Sequence, residues 1–156
     1  GSGHLQVADA PASSRFSSRP KMLSGGGGLV STIGDYLQFS QMMMNGGEFS
    51  GTRILTPESV AQMTRNQLPS KAIPIGVGGS KMPGVGFGLG FSVVVREQRR
   101  ASVPLLGEYG WDGMASTHYW SSPASGLSVV VLTQVMPFSP QLEMAVRPLV
   151  YDAVVK

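Results

Sequence analysis

The fold is decided by the run Tyr109-Gly110-Trp111-Asp112-Gly113-Met114-Ala115-Ser116-Thr117-His118-Tyr119-Trp120. A turn at residues 122–126 joins it to the apolar run Leu127-Ser128-Val129-Val130-Val131-Leu132-Thr133. We predict a glycine-interrupted strand paired with a second, apolar strand through that Pro- and Gly-containing turn. A glycine inside a strand weakens the ladder and indicates that another backbone or a ligand approaches closely, here at Gly113. The functional site is therefore expected along this run.

Three further blocks of sequence accompany it. They are Gly25-Gly26-Gly27-Gly28-Leu29-Val30-Ser31-Thr32 leading to Asp35, Asn45-Gly46-Gly47 leading to Arg53-Ile54-Leu55-Thr56-Pro57-Glu58-Ser59-Val60, and Gly86-Phe87-Gly88-Leu89-Gly90-Phe91. In order and spacing, the four blocks resemble the C-terminal part of the serine β-lactamase-like superfamily, which includes the penicillin-binding proteins. The resemblance is greatest to the branch of class C β-lactamases and family VIII carboxylesterases. In those carboxylesterases, Trp-x-Gly stands where β-lactamases carry Lys-Thr-Gly.

The resemblance implies an α+β fold in which helices flank an antiparallel sheet, a partial form of the β-lactamase/transpeptidase-like fold. It also implies a serine that attacks an acyl carbon and backbone amides that stabilise the oxyanion. Carried onto this chain, it makes Trp111 and Asp112 substrate-binding residues. Gly113 would keep the strand edge clear for substrate, and the Met114 N–H would be one of two oxyanion donors.

The resemblance also bears on the small-molecule substrate, an ester or amide. Where a β-lactamase lysine would offer an ammonium to a carboxylate, Trp111 offers an apolar face and a single N–H donor. Neutral esters are therefore favoured. A structural alternative stays open, in which Trp111 is an ordinary core tryptophan and Gly113 marks a β-bulge.

The nucleophile motif of the family, Ser-x-x-Lys, has one literal match, Ser18-Arg19-Pro20-Lys21. Its surroundings are polar, Pro20 precedes the lysine and no apolar helix follows, so we do not assign the nucleophile to this chain. The family's Tyr-x-Asn or Tyr-x-Ser motif has no counterpart either. We expect both motifs in a missing N-terminal part of a longer parent, and we expect this chain alone to be inactive. The alternative is a noncatalytic binding or scaffold module with the same fold.

His118 could in principle form a triad with Asp112. On one extended strand the two residues would lie about 20 Å apart, too far for a hydrogen bond unless the chain folds back. The only other histidine is His4, so the sequence predicts no metal site, and no cofactor is implied.

Composition is that of a globular domain, with 42% hydrophobic and 13% charged residues. The net charge is +3, and the arginines and lysines are scattered along the chain, which argues against a nucleic-acid partner. No apolar run approaches the roughly 20 residues of a membrane span, and no membrane partner is expected. Without cysteine there is neither a disulfide framework nor a thiolate site, and the compartment stays unknown.

Two segments are predicted: residues 1–24, an expression scar (Gly1–His4) with a loop-like continuation, and residues 25–156, the C-terminal part of a β-lactamase-like domain. Because the rest of the domain would pack on this part, we expect an uncovered sheet edge or apolar face and possible self-association of the chain alone.

The predicted elements follow from capping and periodicity. One helix starts at Thr32 and stops at residues 45–47, and a second starts at residues 56–57 and fades near Leu68. Residues 70–86 are predicted to be a loop and residues 87–95 a strand. A last helix is predicted to start at Ser139-Pro140 and to run towards Val155, with a kink or an interruption at Pro148.

Overall fold

A computed structural model describes residues 4–77, 80–100 and 103–154. The chain divides between Thr32 and Ile33 into two compact units. In the first unit, two short 3-10 turns, Pro11–Ser13 and Arg15–Ser17, are set in irregular chain. All but His4 of the predicted expression scar lies outside the described residues.

The second unit contains helices and strands in mixed order. The helices are α1 (Ile33–Met44), α2 (Pro57–Met63) and α3 (Gln141–Asp152). The strands are β1 (Glu48–Phe49), β2 (Thr52–Arg53), β3 (Gly76–Val77), β4 (Ser80–Lys81), β5 (Val85–Phe87), β6 (Ser92–Val94), β7 (Arg99–Arg100), β8 (Val103–Pro104), β9 (Tyr109–Gly113), β10 (Thr117–Ser122) and β11 (Leu127–Val131).

Five of the strands form one antiparallel sheet in the order β11-β10-β9-β6-β5. The remaining strands form two-stranded ribbons: β1 with β2, β3 with β4, and β7 with β8. The α+β class with a helix-flanked antiparallel sheet is confirmed. Within the described part of the chain, no helix has the length and apolar character to span a membrane.

Side chains alternate between the two faces of the sheet, and each face has its own core. The first core joins buried residues of α1 and α2 to the sheet. They are Met42, Met43, Val60, Phe91, Val93, Tyr109 and Tyr119. The second core lies on the opposite face beside α3. It contains Val103, Leu105, Trp120 and Tyr151. The five strands are thus packed between helices on both sides.

The predicted helix boundaries hold where capping chemistry is explicit. α1 begins directly after Thr32 and ends before the glycine pair at residues 46–47, whose positive φ angles suit a left-handed C-terminal cap. Thr56 caps α2 by accepting a hydrogen bond from the Ser59 N–H. α2 ends at Met63, however, several residues before Leu68. The last helix is confirmed, but the predicted interruption at Pro148 is wrong, because α3 continues through that residue from Gln141 to Asp152.

Two predictions from periodicity are wrong. Residues 87–95 do not form one strand, because the chain turns at residues 88–91 between β5 and β6 and places Phe91 in the first core. Residues 70–86 are not wholly loop, since β3, β4 and most of β5 fall there. In both places, apolar and glycine residues alternate closely enough to hide the turns.

Candidate active site

Residues 109–120 form a hairpin and not a single strand. β9 and β10 pair antiparallel through a turn at residues 114–116, so that Gly113 lies opposite Thr117 and Trp111 opposite Tyr119. The prediction of one strand across residues 109–120 is therefore wrong, whereas the predicted pairing with the apolar run is confirmed as β10 with β11. The hairpin turn brings all four predicted site residues to one end of the sheet.

Trp111 lies at the surface and not in the core. The residue is 37% exposed, whereas Trp120 is only 2% exposed. The indole packs edge-on against the ring of Phe87, with centroids 4.8 Å apart. A partly exposed, ring-supported indole can offer an apolar wall to a ligand. The structure does not support the alternative that Trp111 is an ordinary core tryptophan.

The turn after Gly113 is held from outside by the segment that follows β11. The Thr133 hydroxyl donates to the carbonyls of Ala115 and Ser116, at 2.6 and 2.8 Å. The Ser116 hydroxyl donates to the Val135 carbonyl at 2.8 Å. These bonds fix the backbone at a position where Ser116 has a positive φ of 58°.

Met114 is the exposed member of this turn, since the residue is 67% accessible to solvent. Among the backbone hydrogen bonds of the described residues, none uses the Met114 N–H as donor. A fixed turn with a free backbone N–H is the arrangement that an oxyanion donor requires.

The two glycines of β9 have different neighbours. A Cβ at Gly110 would collide with the backbone of Tyr119 and Trp120, so only glycine fits there. A Cβ at Gly113 would meet the side chain of Thr117. The close approach predicted at Gly113 is thus made, within this chain, by a side chain of the partner strand.

Asp112 and His118 form a cross-strand pair. The predicted separation of about 20 Å is wrong, because the hairpin turn places the two residues directly opposite one another. His118 Nδ1 lies 2.9 Å from Asp112 Oδ1 and 3.4 Å from Glu143 Oε2 on α3. The imidazole is fully buried, and its Nε2 has no hydrogen-bond partner within the described residues. No serine hydroxyl therefore completes a triad there.

A cluster of charged residues that the sequence did not predict lies behind this pair. Arg147 donates to the carboxylates of Glu143 and Glu108, and the Tyr151 hydroxyl donates to Glu108. The Arg147 guanidinium also lies over the Trp120 ring, 4.6 Å from its centroid. The available signal was the spacing of Glu143, Arg147 and Tyr151, which places all three on one face of α3.

Burial governs the protonation of this cluster. It raises the pKa of Glu108 to about 8, and the charge of Glu143 adds to the shift. Burial also raises the pKa of Glu143, with repulsion from Asp112 as the second cause. The pKa of Arg147 is lowered to about 10 by burial and by Arg100. The protein thus keeps carboxyl groups in a place where their charged forms are disfavoured.

A cavity of about 280 Å³ lies between the sheet and α3. Trp111, Asp112, Glu143 and Arg147 all contribute to its wall. It therefore connects the predicted substrate-binding residues to the charged cluster.

Ser18 and Lys21, the literal Ser-x-x-Lys match, are exposed residues of the first unit. They follow a 3-10 turn, and the Ser18 hydroxyl faces the Arg15 carbonyl at 3.5 Å. Neither lies on an α-helix. The expectation that this match is not a helix-borne nucleophile and base agrees with that geometry.

The family model named Beta-lactamase matches residues 2–149. Protein Rv1367c of Mycobacterium tuberculosis is 36% identical over 124 residues, which are 76% of this chain and 30% of that protein. The chain thus spans less than a third of the length of the curated relatives it matches.

Among solved structures, the chain resembles EstCE1, described as a hydrolase with promiscuous acyltransferase activity, with a TM-score of 0.59 and 28% identity. The match covers 76% of this chain and 29% of EstCE1. Unliganded simvastatin synthase (LovD) from Aspergillus terreus has the same fold over 74% of this chain and 32% of its own, with a TM-score of 0.56 and 18% identity.

Proposed function

Because the chain belongs to the beta-lactamase family, we propose that it is the C-terminal part of a serine acyl hydrolase of carboxylesterase type. The observation that carries the proposal is the exposed Trp111 beside a fixed turn with a free Met114 N–H. EstCE1, to which this chain is 28% identical over the matched part, is described as a hydrolase, and that description supports the same class of function.

In the proposed mechanism, this chain supplies an apolar wall of the substrate pocket and part of the oxyanion hole. The Met114 N–H donates to the developing oxyanion, and the bonds from Thr133 hold the turn so that no reorganisation is needed during reaction. Removal of one such donor commonly costs about a hundred- to thousandfold in rate. Trp111 forms the apolar wall for an ester, with Asp112 beside it, and Gly113 leaves the strand end open.

The nucleophilic serine and its base belong, in this proposal, to the N-terminal part of the parent. The five-stranded sheet offers a place for that part, because β11 is its terminal strand and pairs on one side with β10. An unpaired strand edge recruits another strand. The chain alone is accordingly proposed to be inactive towards esters and prone to self-association.

The test is Trp111→Lys in the complete parent protein. The new ammonium would face the carboxylate that β-lactams carry and simple esters lack, whereas the ester would lose contact with the indole. We expect the ratio of kcat/KM for nitrocefin to that for a butyrate ester to rise. A shift of about tenfold corresponds to about 1.4 kcal/mol in relative transition-state binding.

Trp111→Met is the matched control, since methionine is similar to lysine in length and flexibility but carries no charge. It should lower ester turnover without raising the nitrocefin ratio. If the ratio stays flat in a folded Trp111→Lys protein, Trp111 does not face the substrate and its assigned role is wrong. The isolated chain, assayed beside the parent, should show no sustained turnover of either substrate.

A further inference from the structure

Three potential metal ligands converge from three elements of the second unit. Asp112 comes from β9, His118 from β10 and Glu143 from α3, and one ligand atom of each lies within 4.8 Å of the other two. His118 Nδ1 is 2.9 Å from Asp112 Oδ1 and 3.4 Å from Glu143 Oε2. The three residues are separated in sequence and meet only because of the hairpin and the last helix.

We propose that Asp112, His118 and Glu143 form a binding site for a zinc ion. Zinc takes imidazole nitrogen and carboxylate oxygen at about 2.0–2.2 Å in tetrahedral geometry, which puts neighbouring ligand atoms about 3.3 Å apart. The two separations from Nδ1, 2.9 and 3.4 Å, lie on either side of that value. Small side-chain adjustments therefore suffice to seat the ion.

Contacts from outside the three residues hold Glu143 and His118 in place. Arg147 holds the Oε1 atom of Glu143, which leaves Oε2 directed at His118 Nδ1. The imidazole of His118 is buried and packs against the Phe138 ring, with centroids 5.6 Å apart. Outer contacts that fix the ligands in this way commonly change metal affinity by 10- to 100-fold.

The site is accessible and has room for a further ligand. The Asp112 side chain is 38% exposed and that of Glu143 is 19% exposed, so an ion can enter from solvent. Both residues also line the cavity of about 280 Å³ between the sheet and α3. A water molecule in that cavity can complete the four-coordinate shell.

The competing arrangement is a hydrogen bond from His118 Nδ1–H to Asp112 Oδ1, which the 2.9 Å separation also fits. Glu143 Oε2 lies 3.4 Å from the same nitrogen, and a single N–H cannot donate equally well to both carboxylates. A zinc ion takes the place of that hydrogen and can bond to all three groups, and its positive charge offsets the repulsion between the two carboxylates.

The experiment is a calorimetric titration of the chelator-treated 156-residue chain with zinc chloride. We expect one equivalent to bind, and Asp112→Asn and His118→Asn to weaken binding at least tenfold. His4→Asn is the matched control, because His4 is the only other histidine and should not contribute. Cobalt titration should give the intense visible absorption of a four-coordinate site.

Asp112→Asn preserves shape at a partly exposed position, so its fold can be verified by circular dichroism even if His118→Asn fails to fold. The proposal is overturned if the folded wild-type chain binds no stoichiometric zinc. It is equally overturned if Asp112→Asn binds as tightly as wild type, or if His4→Asn abolishes binding. The readout is binding and not turnover, so it is independent of the proposed acyl hydrolysis.

Discussion

The two faces of the five-stranded sheet are stabilised by different chemistry, although the same strands build both. Under α1 and α2, aromatic rings pack edge to face, and Phe91 contacts Tyr109 and Tyr119 at centroid distances of 5.3 and 6.1 Å. Under α3, Trp120 lies beneath Arg147, which also pairs with two carboxylates. Alternation along β9 and β10 separates the two environments within single strands.

Because of this difference, substitutions on the two faces should lower stability in different ways. Apolar contacts are non-directional, so the aromatic face loses stability roughly in proportion to the contact area removed. The charged face depends on every partner being present, because a buried charge left alone costs more than the pair contributes. The first face is therefore tolerant of gradual change, whereas the second fails when one member is lost.

The largest expected effect is on the aromatic face. Phe91→Ala should lower the free energy of unfolding by about 3–5 kcal/mol, because it removes a ring from the centre of the first core and leaves a cavity. Urea unfolding followed by tryptophan fluorescence measures the change. Phe16→Ala, at a 43% exposed position, is the control and should cost about 0.5 kcal/mol or less. Equal losses in the two variants would contradict this view of the core.

A smaller effect is expected from Arg147→Met on the charged face. At pH 9, where Glu108 with its pKa of about 8 is ionised, the substitution keeps length but leaves Glu108 and Glu143 without their shared cation. The cost expected at that pH is about 3 kcal/mol. Arg147 is 18% exposed, which places the value at the lower end of the usual range. Adding Glu108→Gln should recover part of the loss, because one buried charge then disappears. A double variant no more stable than Arg147→Met would show that the charges do not determine this face.

The smallest effect is expected for a change of one pH unit, which alters the stability of the charged face through Glu108. This change tests that face without altering the packing of either face. The folded pKa of Glu108 is about 8 and its ordinary value is 4.5, so the unfolded chain releases this proton first as pH rises. Stability should therefore fall between pH 4.5 and 8, by at most about 1.4 kcal/mol per pH unit. Glu108→Gln should flatten that slope in urea unfolding at pH 5, 6, 7 and 8. Parallel slopes for variant and wild type would refute the assignment.

Much of the fold could be predicted from local sequence. The cap at Thr56, the glycine stop after α1 and the apolar β11 each depend on residues adjacent in the chain. The turns at residues 88–91 and 114–116 escaped prediction, because glycines and small residues occur on both sides of them and periodicity alone does not locate a reversal.

The candidate site also contains residues that the local sequence indicated and residues that it did not. Trp111 and Met114 stand out in a contiguous motif, and their roles as substrate wall and oxyanion donor remain predictions. Glu108 and Arg147 carried no comparable signal, since they are 39 residues apart and meet only in the folded chain. Their partners come from separate elements, and no local rule specifies such a pair.

The sequence by itself determined the family resemblance, the antiparallel strands and most helix ends, because capping, turn chemistry and alternation act over a few residues. Only the tertiary structure decided that Asp112, His118 and Glu143 meet. The hairpin turn reverses the chain between the first two, and the packing of α3 on the sheet supplies the third. Long-range contacts depend on how elements pack, and the charged cluster is built entirely from such contacts.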